Sequence, residues 1–328
     1  MGDPEVTSRR LPFRLVYHDD YDLNFGIHVF PTQKYRLIRE RLLAMGFASP
    51  ADFVRPEPAS EEDLLRVHEE SWIRRLRNGT LGFDDIRRLE VPYSRRMVDA
   101  FIAAAGGTTL AGQTALEDGV GFNIGGGFHH AFPGHGEGFC AIHDIAVAIR
   151  RLQRDGRIRK ALVVDCDVHQ GNGTAAIFAS DPSVFTISIH QRQNYPMEKP
   201  PSTIDIHLPD GVGDEEYLIR LADPVLGAVW GFRPDLMMYI AGADPYCYDQ
   251  LGGLCLTMEG LQERDRFVME TALTHGVPVA VTLAGGYAAK LEDTVTIHVN
   301  TAEVALDCLT ETAWPARAAR AAIDANRR

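Results

Sequence analysis

The sequence predicts an α/β fold in which helices cover both faces of a central parallel sheet. Short apolar runs, such as residues 161–165 and 279–283, alternate with longer segments of helical pattern. Strands buried on both faces have nearly continuous apolar runs, and helical connections between them favour parallel pairing. Neither a long linker nor an internal repeat interrupts this pattern. We therefore expect residues 1–328 to form one domain, with residues 1–12 as a loose N-terminal arm.

The elements follow in chain order. The first half is predicted to contain a strand at 14–17, a helix at 32–45, two helical stretches within 60–77, and a long helix at 94–116. Residues 19–31 and 78–91 are predicted to be irregular. The second half is predicted to alternate strands at 120–124, 161–165, 184–189, 236–241 and 279–283 with helices at 142–152, 174–179, 215–230, 258–275 and 301–309.

The composition narrows the class of protein. Of 328 residues, 45% are hydrophobic and 24% are charged, as is typical of globular proteins. The net charge of -12 argues against a nucleic-acid-binding protein. The five cysteines contain no C-x-x-C pair, so neither a disulfide framework nor a cysteine-type zinc site is expected. No apolar stretch is long enough to span a membrane, and we expect a cytoplasmic protein.

Polar, glycine-bearing segments follow five of the predicted strands. They are residues 125–130, 165–169, 188–190, 241–244 and 284–287. Ligands of open α/β sheets bind beyond the carboxyl ends of the strands, so these segments are expected to meet at one edge. One polar, glycine-bearing segment after a strand is usually a simple turn, whereas five such segments favour a functional site.

Three candidate ligands, Asp165, Asp167 and His169, occupy alternate positions at the end of the strand at 161–165. Alternate side chains of extended backbone point to the same side, so these groups converge. A catalytic zinc site needs three protein ligands and an open position. Asp167 and His169 supply two, and Asp244 is the best third. Asp165 lies nearer the sheet interior and is expected to orient an imidazole instead.

Two adjacent imidazoles, His129 and His130, follow the glycines at 125–127. Imidazoles beside a metal can share the acid and base roles of a hydrolysis. The phenol of Tyr287, after two glycines, could donate a hydrogen bond to a developing oxyanion, although a packing role is equally compatible with its sequence context. The glycine run lacks the Lys-Ser/Thr of a phosphate-binding P-loop, so we discount that alternative.

Together these motifs resemble the histone deacetylase family of the arginase–deacetylase superfamily. The resemblance rests on residues 125–130, 138–140, 165–173, 241–244 and 285–287, in the order of the family, and it spans roughly residues 17–309. Residues 169–173 and 251–254 are most similar to the class IV branch. The resemblance implies a three-layer fold with a central eight-stranded, mainly parallel sheet. It also implies a zinc-dependent hydrolase that removes acetyl or longer fatty-acyl groups from lysine side chains.

The resemblance implies a role for each matching residue. The zinc ligands would be Asp167, His169 and Asp244, and the catalytic residues would be His130 with Asn172, His129 with Asp165, and Tyr287. The acyl-lysine tunnel would be lined by Gly138, Phe139, Cys140, Tyr195, Leu251 and Gly285. A structural potassium ion would be held by Asp165, Asp167, His169 and Ser188.

The chain also departs from the family pattern. Asn172 stands where many members carry Asp, and His143 stands where Asn is usual. An amide stabilises an imidazolium less than a carboxylate does, so a less basic His130 is expected. The segment 78–91 contains no match to the rim aspartate with which many members hold the substrate backbone.

Several alternatives stay open. The substrate could be a small acylated amine, such as an acetylpolyamine, instead of a protein or peptide. The chain could be a catalytically weak acyl-lysine binding protein. A dimanganese ureohydrolase of the arginase type would have the same fold, but it needs more carboxylates than we identify. One His and two carboxylates hold Fe²⁺ as well as Zn²⁺. The sequence does not indicate the oligomeric state.

Overall fold

The computed structural model describes residues 8–312 and residue 314 of the chain. The strands are β1 (Arg14–Val16), β2 (Phe53–Val54), β3 (Val120–Asn123), β4 (Ala161–Asp165), β5 (Val184–Gln191), β6 (Ile204–Leu208), β7 (Leu236–Ile240) and β8 (Val279–Thr282). The helices are α1 (Gln33–Ala44), α2 (Glu61–Leu64), α3 (Glu70–Asn78), α4 (Phe83–Leu89), α5 (Arg95–Asp118), α6 (Asp144–Arg154), α7 (Asn172–Phe178), α8 (Asp214–Phe232), α9 (Met258–Thr274) and α10 (Leu291–Glu311).

The strands form one eight-stranded sheet in the order β2-β1-β3-β8-β7-β4-β5-β6. Neighbouring strands are parallel throughout. In β4, Leu162 and Val164 face one apolar cluster, whereas Ala161 and Val163 face the other. This alternation buries both faces of the sheet and explains the continuous apolar runs of its strands. The predicted α/β fold, with helices on both faces of a parallel sheet, is confirmed.

Two strands and one helix differ from the prediction. Strand β2 has only two residues, and β6 lies at the sheet edge with His207 exposed, so neither has a full apolar run. Helix α4 lies within the segment predicted to be irregular. Its first turn carries Asp84 and Asp85 and its last turn carries Arg87 and Arg88, which is the arrangement that complements a helix dipole. The charged residues of this segment therefore stabilise a helix.

The last helix and the N-terminal segment also differ from expectation. Helix α10 begins at Leu291, ten residues before the predicted start at residue 301. Residues 1–7 of the predicted loose arm lie outside the described residues. From Ser8 onward the chain is held, because the Asp52 carboxylate accepts hydrogen bonds from the backbone N–H groups of Arg10 and Leu11 at 2.9 and 3.0 Å.

One cysteine pair contradicts the expectation of no disulfide. Cys247 and Cys255 form a disulfide, while Cys140, Cys166 and Cys308 are free and buried. The pair closes a short loop whose ends already meet through a bridge between residues 246 and 256. Among the described helices, none is long and apolar enough to cross a membrane.

A buried arginine supports the edge of the sheet that carries the polar segments. Arg264 of α9 is fully buried and paired with Asp265 at 2.7 Å. Its Nη1 donates to the carbonyl oxygens of Gly242 and Cys166 at 2.7 and 3.2 Å. These carbonyls follow β7 and β4, so one cation fixes both strand extensions.

Candidate active site

The polar segments that follow β3, β4, β7 and β8 meet at one edge of the sheet. These strands are neighbours in the order β3-β8-β7-β4, so their carboxyl ends lie side by side. Residues 125–130, 165–169, 244 and 284–287 follow directly from them. The sheet topology itself therefore produces the expected convergence for four of the five segments, whereas residues 188–190 lie within β5 instead of following it.

Asp167, His169 and Asp244 form a buried cluster at this edge. Each offers one ligand atom, and these atoms lie within 4.8 Å of one another. Nδ1 of His169 lies 3.0 Å from Asp167 Oδ1 and 3.3 Å from Asp244 Oδ2. Two carboxylates and one imidazole are a donor set for a divalent transition metal. In the described part of the chain, this is the one cluster with such spacing.

Three observations show that this cluster fits a cation. Oδ2 of Asp244 is buried and accepts no hydrogen bond of good geometry, although His169 Nδ1 lies 3.3 Å away. Burial and the nearby Asp167 carboxylate raise the pKa of Asp244 to about 7, which is the expected response of two buried like charges. Gly285 leaves the space open, because a Cβ there would collide with the carboxylates of both aspartates. A bound cation would satisfy the unpaired oxygen and offset the repulsion.

His129 is supported by a carboxylate. Its Nδ1 lies 2.6 Å from Oδ2 of Asp165, and both side chains are buried. Its Nε2 lies 3.8 Å from Asp167 Oδ1. Burial alone would lower the pKa of His129, but the charges of Asp165 and Asp167 outweigh burial and raise it to about 9. His129 is therefore suited to carry a positive charge near neutral pH.

His130 is supported by an amide. Its Nδ1 lies 2.7 Å from Oδ1 of Asn172, at the start of α7. Burial, together with the charges of His129 and His169, holds the pKa of His130 well below its usual range. The ring centroids of the two adjacent imidazoles are only 4.0 Å apart. His130 is therefore the neutral member of the pair and is able to accept a proton.

Tyr287 is nearly buried at the site, with 8% of its surface exposed. Its ring centroid is 6.5 Å from that of His169. Burial and the charges of Asp167 and Asp244 raise the pKa of the Tyr287 phenol, so it stays protonated and can donate a hydrogen bond. Asp249 positions this residue by accepting from its backbone N–H at 2.7 Å.

Two adjoining cavities lead from the surface to the cluster. The outer cavity, of about 170 Å³, is lined by Glu90, His130, Gly138, Phe139, His169, Asn194, Tyr195, Leu251 and Tyr287. The inner cavity is narrow and is lined by residues that include Phe30, Cys140, Asp167 and Gly285. All six residues predicted to form the tunnel thus line one of the two cavities.

Comparisons with known proteins agree with this arrangement. The histone deacetylase domain matches residues 28–302 of this chain. Histone deacetylase 2 of Arabidopsis thaliana is 31% identical over 286 residues, which are 83% of this chain and 74% of that protein. A probable deacetylase of Archaeoglobus fulgidus is 32% identical over 83% of this chain and 80% of that protein. The chain belongs to the histone deacetylase family.

Two further relatives extend the comparison. An uncharacterised protein of Picosynechococcus sp. is 42% identical over 87% of this chain and 96% of its own length. The crystal structure of the HDA15 HD domain has a TM-score of 0.75 at 25% identity, covering 90% of both chains. As a member of this family the chain is a hydrolase with the arginase–deacetylase fold. The class IV assignment stays a prediction.

Two of the residues predicted to hold potassium are adjacent, and both already make hydrogen bonds within the protein. Asp165 and Ser188 are paired in register across β4 and β5. Oδ1 of Asp165 accepts from the backbone N–H of Asp167 at 3.1 Å, and the Ser188 hydroxyl lies 2.9 Å from His190 Nδ1. This potassium site stays a prediction.

The structure explains one departure from the family. His143 precedes α6, and its Nδ1 accepts from the backbone N–H of Ala146 at 3.1 Å, so it caps the helix. Its Nε2–H then donates to the Thr174 hydroxyl at 2.9 Å. His143 therefore occupies the N-cap position of α6, where Asn is a favoured residue.

Sequence reasoning missed four charged residues near the site. They are Lys34, Glu90, Glu137 and Asp249. Lys34 is fully buried, and its Nζ donates to the carbonyl of Ala284 at 2.6 Å. Burial lowers the pKa of Lys34 to about 8, with Asp244, Asp167 and Asp249 opposing the shift. A lysine in a helix with many charged residues gives no sequence signal of burial.

Proposed function

We propose that this protein is a zinc-dependent deacylase that removes acetyl or longer acyl groups from lysine side chains. The observation that carries the proposal is a narrow cavity ending at the cluster of Asp167, His169 and Asp244. The neutral imidazole of His130 lines the same cavity. The aromatic walls would accept an extended aliphatic chain, and the buried end would accept its acyl group.

Asp167, His169 and Asp244 would hold the metal. When bound, the metal supplies a Lewis acid that polarises the acyl carbonyl and makes a water molecule more acidic. His130 accepts a proton from the attacking water at Nε2, because Asn172 occupies its Nδ1. Tyr287 donates a hydrogen bond to the carbonyl oxygen as negative charge develops there. His130 then returns the proton to the leaving amine, while charged His129 remains held by Asp165.

An assay of the purified, zinc-loaded protein tests this proposal. Peptides with acetyl-, butanoyl- and longer acyl-lysine, together with acetylated polyamines, would be offered to the wild type. We expect turnover of acyl-lysine that falls sharply in His130→Ala and Tyr287→Phe. Equal turnover in the wild type and both variants would contradict the mechanism, and no turnover of any substrate would favour the binding-protein alternative.

The identity of the metal needs its own measurement. We propose one Zn²⁺ for each chain, although the donor set also suits Fe²⁺. Elemental analysis after anaerobic purification distinguishes the two ions, and it distinguishes both from the two manganese ions of a ureohydrolase. A potassium ion near Asp165 and Ser188 would appear as potassium-dependent stability, tested by replacing potassium with a larger cation.

Glu90 lines the outer cavity, where its carboxylate can accept a hydrogen bond from a peptide N–H or from a protonated amine. Burial and the nearby Glu137 raise the pKa of Glu90. We infer that Glu90 accepts from a substrate N–H. Glu90→Ala should raise KM several-fold for an acyl-lysine peptide, and a larger rise for an acetylpolyamine, whose amines are protonated, would favour the small-amine substrate. An unchanged KM for both substrates would contradict this role.

A further inference from the structure

The side-chain amide of Asn172, which contacts His130, also contacts the carboxylate of Glu137. Nδ2 of Asn172 donates to Oε1 of Glu137 at 2.5 Å. The opposite end of the same amide lies 2.7 Å from Nδ1 of His130. The amide thus joins the imidazole to a carboxylate that lies in another segment of the chain, between β3 and α6.

The hydrogen bonds fix the orientation of this amide. Oδ1 of Asn172 also accepts from the backbone N–H of Gly173 at 3.0 Å. The amide oxygen therefore faces Gly173 and His130, and the NH₂ group faces Glu137. An oxygen at this position requires His130 to donate from Nδ1. Nε2 of His130 is then left without a proton and is free to act as the base.

Several donors hold the Glu137 carboxylate in place. Besides Asn172, Oε1 accepts from the Tyr195 hydroxyl at 3.1 Å, and Oε2 lies 3.2 Å from His135 Nε2. The side chain is only 18% exposed. Burial raises the pKa of Glu137, but the hydrogen bonds from His135, Asn172 and Tyr195 outweigh burial and lower it. Its backbone is also bridged to Cys140, within the segment that forms the cavity wall.

Glu137 also contacts the wall of the outer cavity, through Tyr195. Tyr195, which donates to it, packs edge-on against the imidazole of His130 with ring centroids 4.9 Å apart. Glu137 therefore connects the aromatic wall of the outer cavity with the support of the base. Removing its charge would loosen both contacts at once.

We propose that Glu137 is a positioning residue for His130. It holds Asn172 in the one orientation that keeps the proton of His130 on Nδ1, and it polarises the amide so that Asn172 partly replaces the missing aspartate. This inference rests on the proposed deacylase activity for its kinetic consequences. Its structural consequence, the state of His130, does not depend on that activity.

The kinetic test is a double-mutant cycle. Glu137→Gln should lower kcat about ten- to a hundredfold with little change in KM, which is the usual range for residues that orient a catalytic side chain. In the Asn172→Asp background the same substitution should raise kcat, because two carboxylates would otherwise repel each other. Glu198→Gln, on an exposed residue of the neighbouring loop, is the matched control and should keep wild-type kcat.

A spectroscopic test separates this inference from the proposed function. In protein labelled with ¹⁵N-histidine, the Nδ1–H proton of His130 should resonate far downfield and move upfield in Glu137→Gln. The Glu198→Gln variant should leave it in place. An unchanged resonance overturns the inference, as does a kcat effect of the same sign in both backgrounds. If the wild type hydrolyses no acyl amine, the deacylase proposal fails and the resonance alone decides the role of Glu137.

Discussion

His129 and His130 are neighbours in the chain but stand in opposite electrostatic environments. A buried carboxylate, Asp165, lies 2.6 Å from Nδ1 of His129, whereas an amide, Asn172, lies 2.7 Å from Nδ1 of His130. The pKa of His129 is raised to about 9 by Asp165 and Asp167 despite burial, while burial and neighbouring charges lower that of His130. The comparison teaches that a carboxylate at Nδ1 can outweigh burial, whereas an amide at Nδ1 leaves burial dominant, and this difference separates the tasks of the two imidazoles.

The difference originates in the fold. Asp165 ends β4 and lies inside the sheet edge, so it meets His129 directly. Asn172 begins α7, and its amide donates to Glu137, which is 18% exposed and accepts from Tyr195 of the outer cavity wall. His129 therefore interacts with a carboxylate of the protein interior, whereas His130 interacts through Asn172 with a residue beside the substrate cavity.

The largest expected effect comes from removing the base. His130→Ala should lower kcat by about 10²- to 10⁴-fold, the range of general acid–base catalysis. His129→Ala should cost less, because His129 contributes charge and not proton transfer. Steady-state assays of both variants on one acyl-lysine peptide test this order. A larger loss in His129→Ala would reverse the assignment.

The next effect concerns the interior partner. Asp165→Asn should lower kcat about ten- to a hundredfold by removing the charge that keeps His129 protonated. Because Asp165 acts through this imidazole, it should cause little further loss in the His129→Ala background. Additive losses in the double variant would mean that Asp165 has a separate role.

A third substitution makes the two imidazoles alike. Asn172→Asp places a carboxylate beside His130 and should raise the pKa of His130. The base works in its unprotonated form, so the acid limb of the kcat/KM profile should move to higher pH, and activity at low pH should fall. A pH profile from 5 to 9 measures the shift. An unmoved acid limb would show that His130 does not control it.

The smallest effect is expected at the cavity wall. Tyr195→Phe removes one hydrogen bond to the Glu137 carboxylate, and hydrogen bonds to charged groups are worth about 1.5–3 kcal/mol. Only the part of this loss that reaches His130 affects kcat, so kcat should change by less than about tenfold. The aromatic wall itself is kept, so KM should stay close to that of the wild type. A loss as large as that of His130→Ala would place the Tyr195 hydroxyl in the chemistry.

Local sequence patterns were sufficient to predict six of the eight strands and the three residues of the buried cluster. Asp167 and His169 follow a strand at alternate positions, and both the strand and its continuation can be read from nearby residues. Lys34 could not be predicted, because its hydrogen-bond partner Ala284 lies 250 residues away. Glu137 was missed for a related reason. It follows a glycine in an irregular segment, and only the tertiary fold brings it to Asn172.

The central claim is that His129 and His130 hold different protonation states because their partners differ. A ¹⁵N NMR titration of the histidine side chains in the zinc-loaded protein tests it most directly. The account predicts that His129 loses its extra proton at a higher pH than His130, and that His130 carries its single proton on Nδ1. Equal titration of both imidazoles, or a neutral His130 with its proton on Nε2, would contradict it.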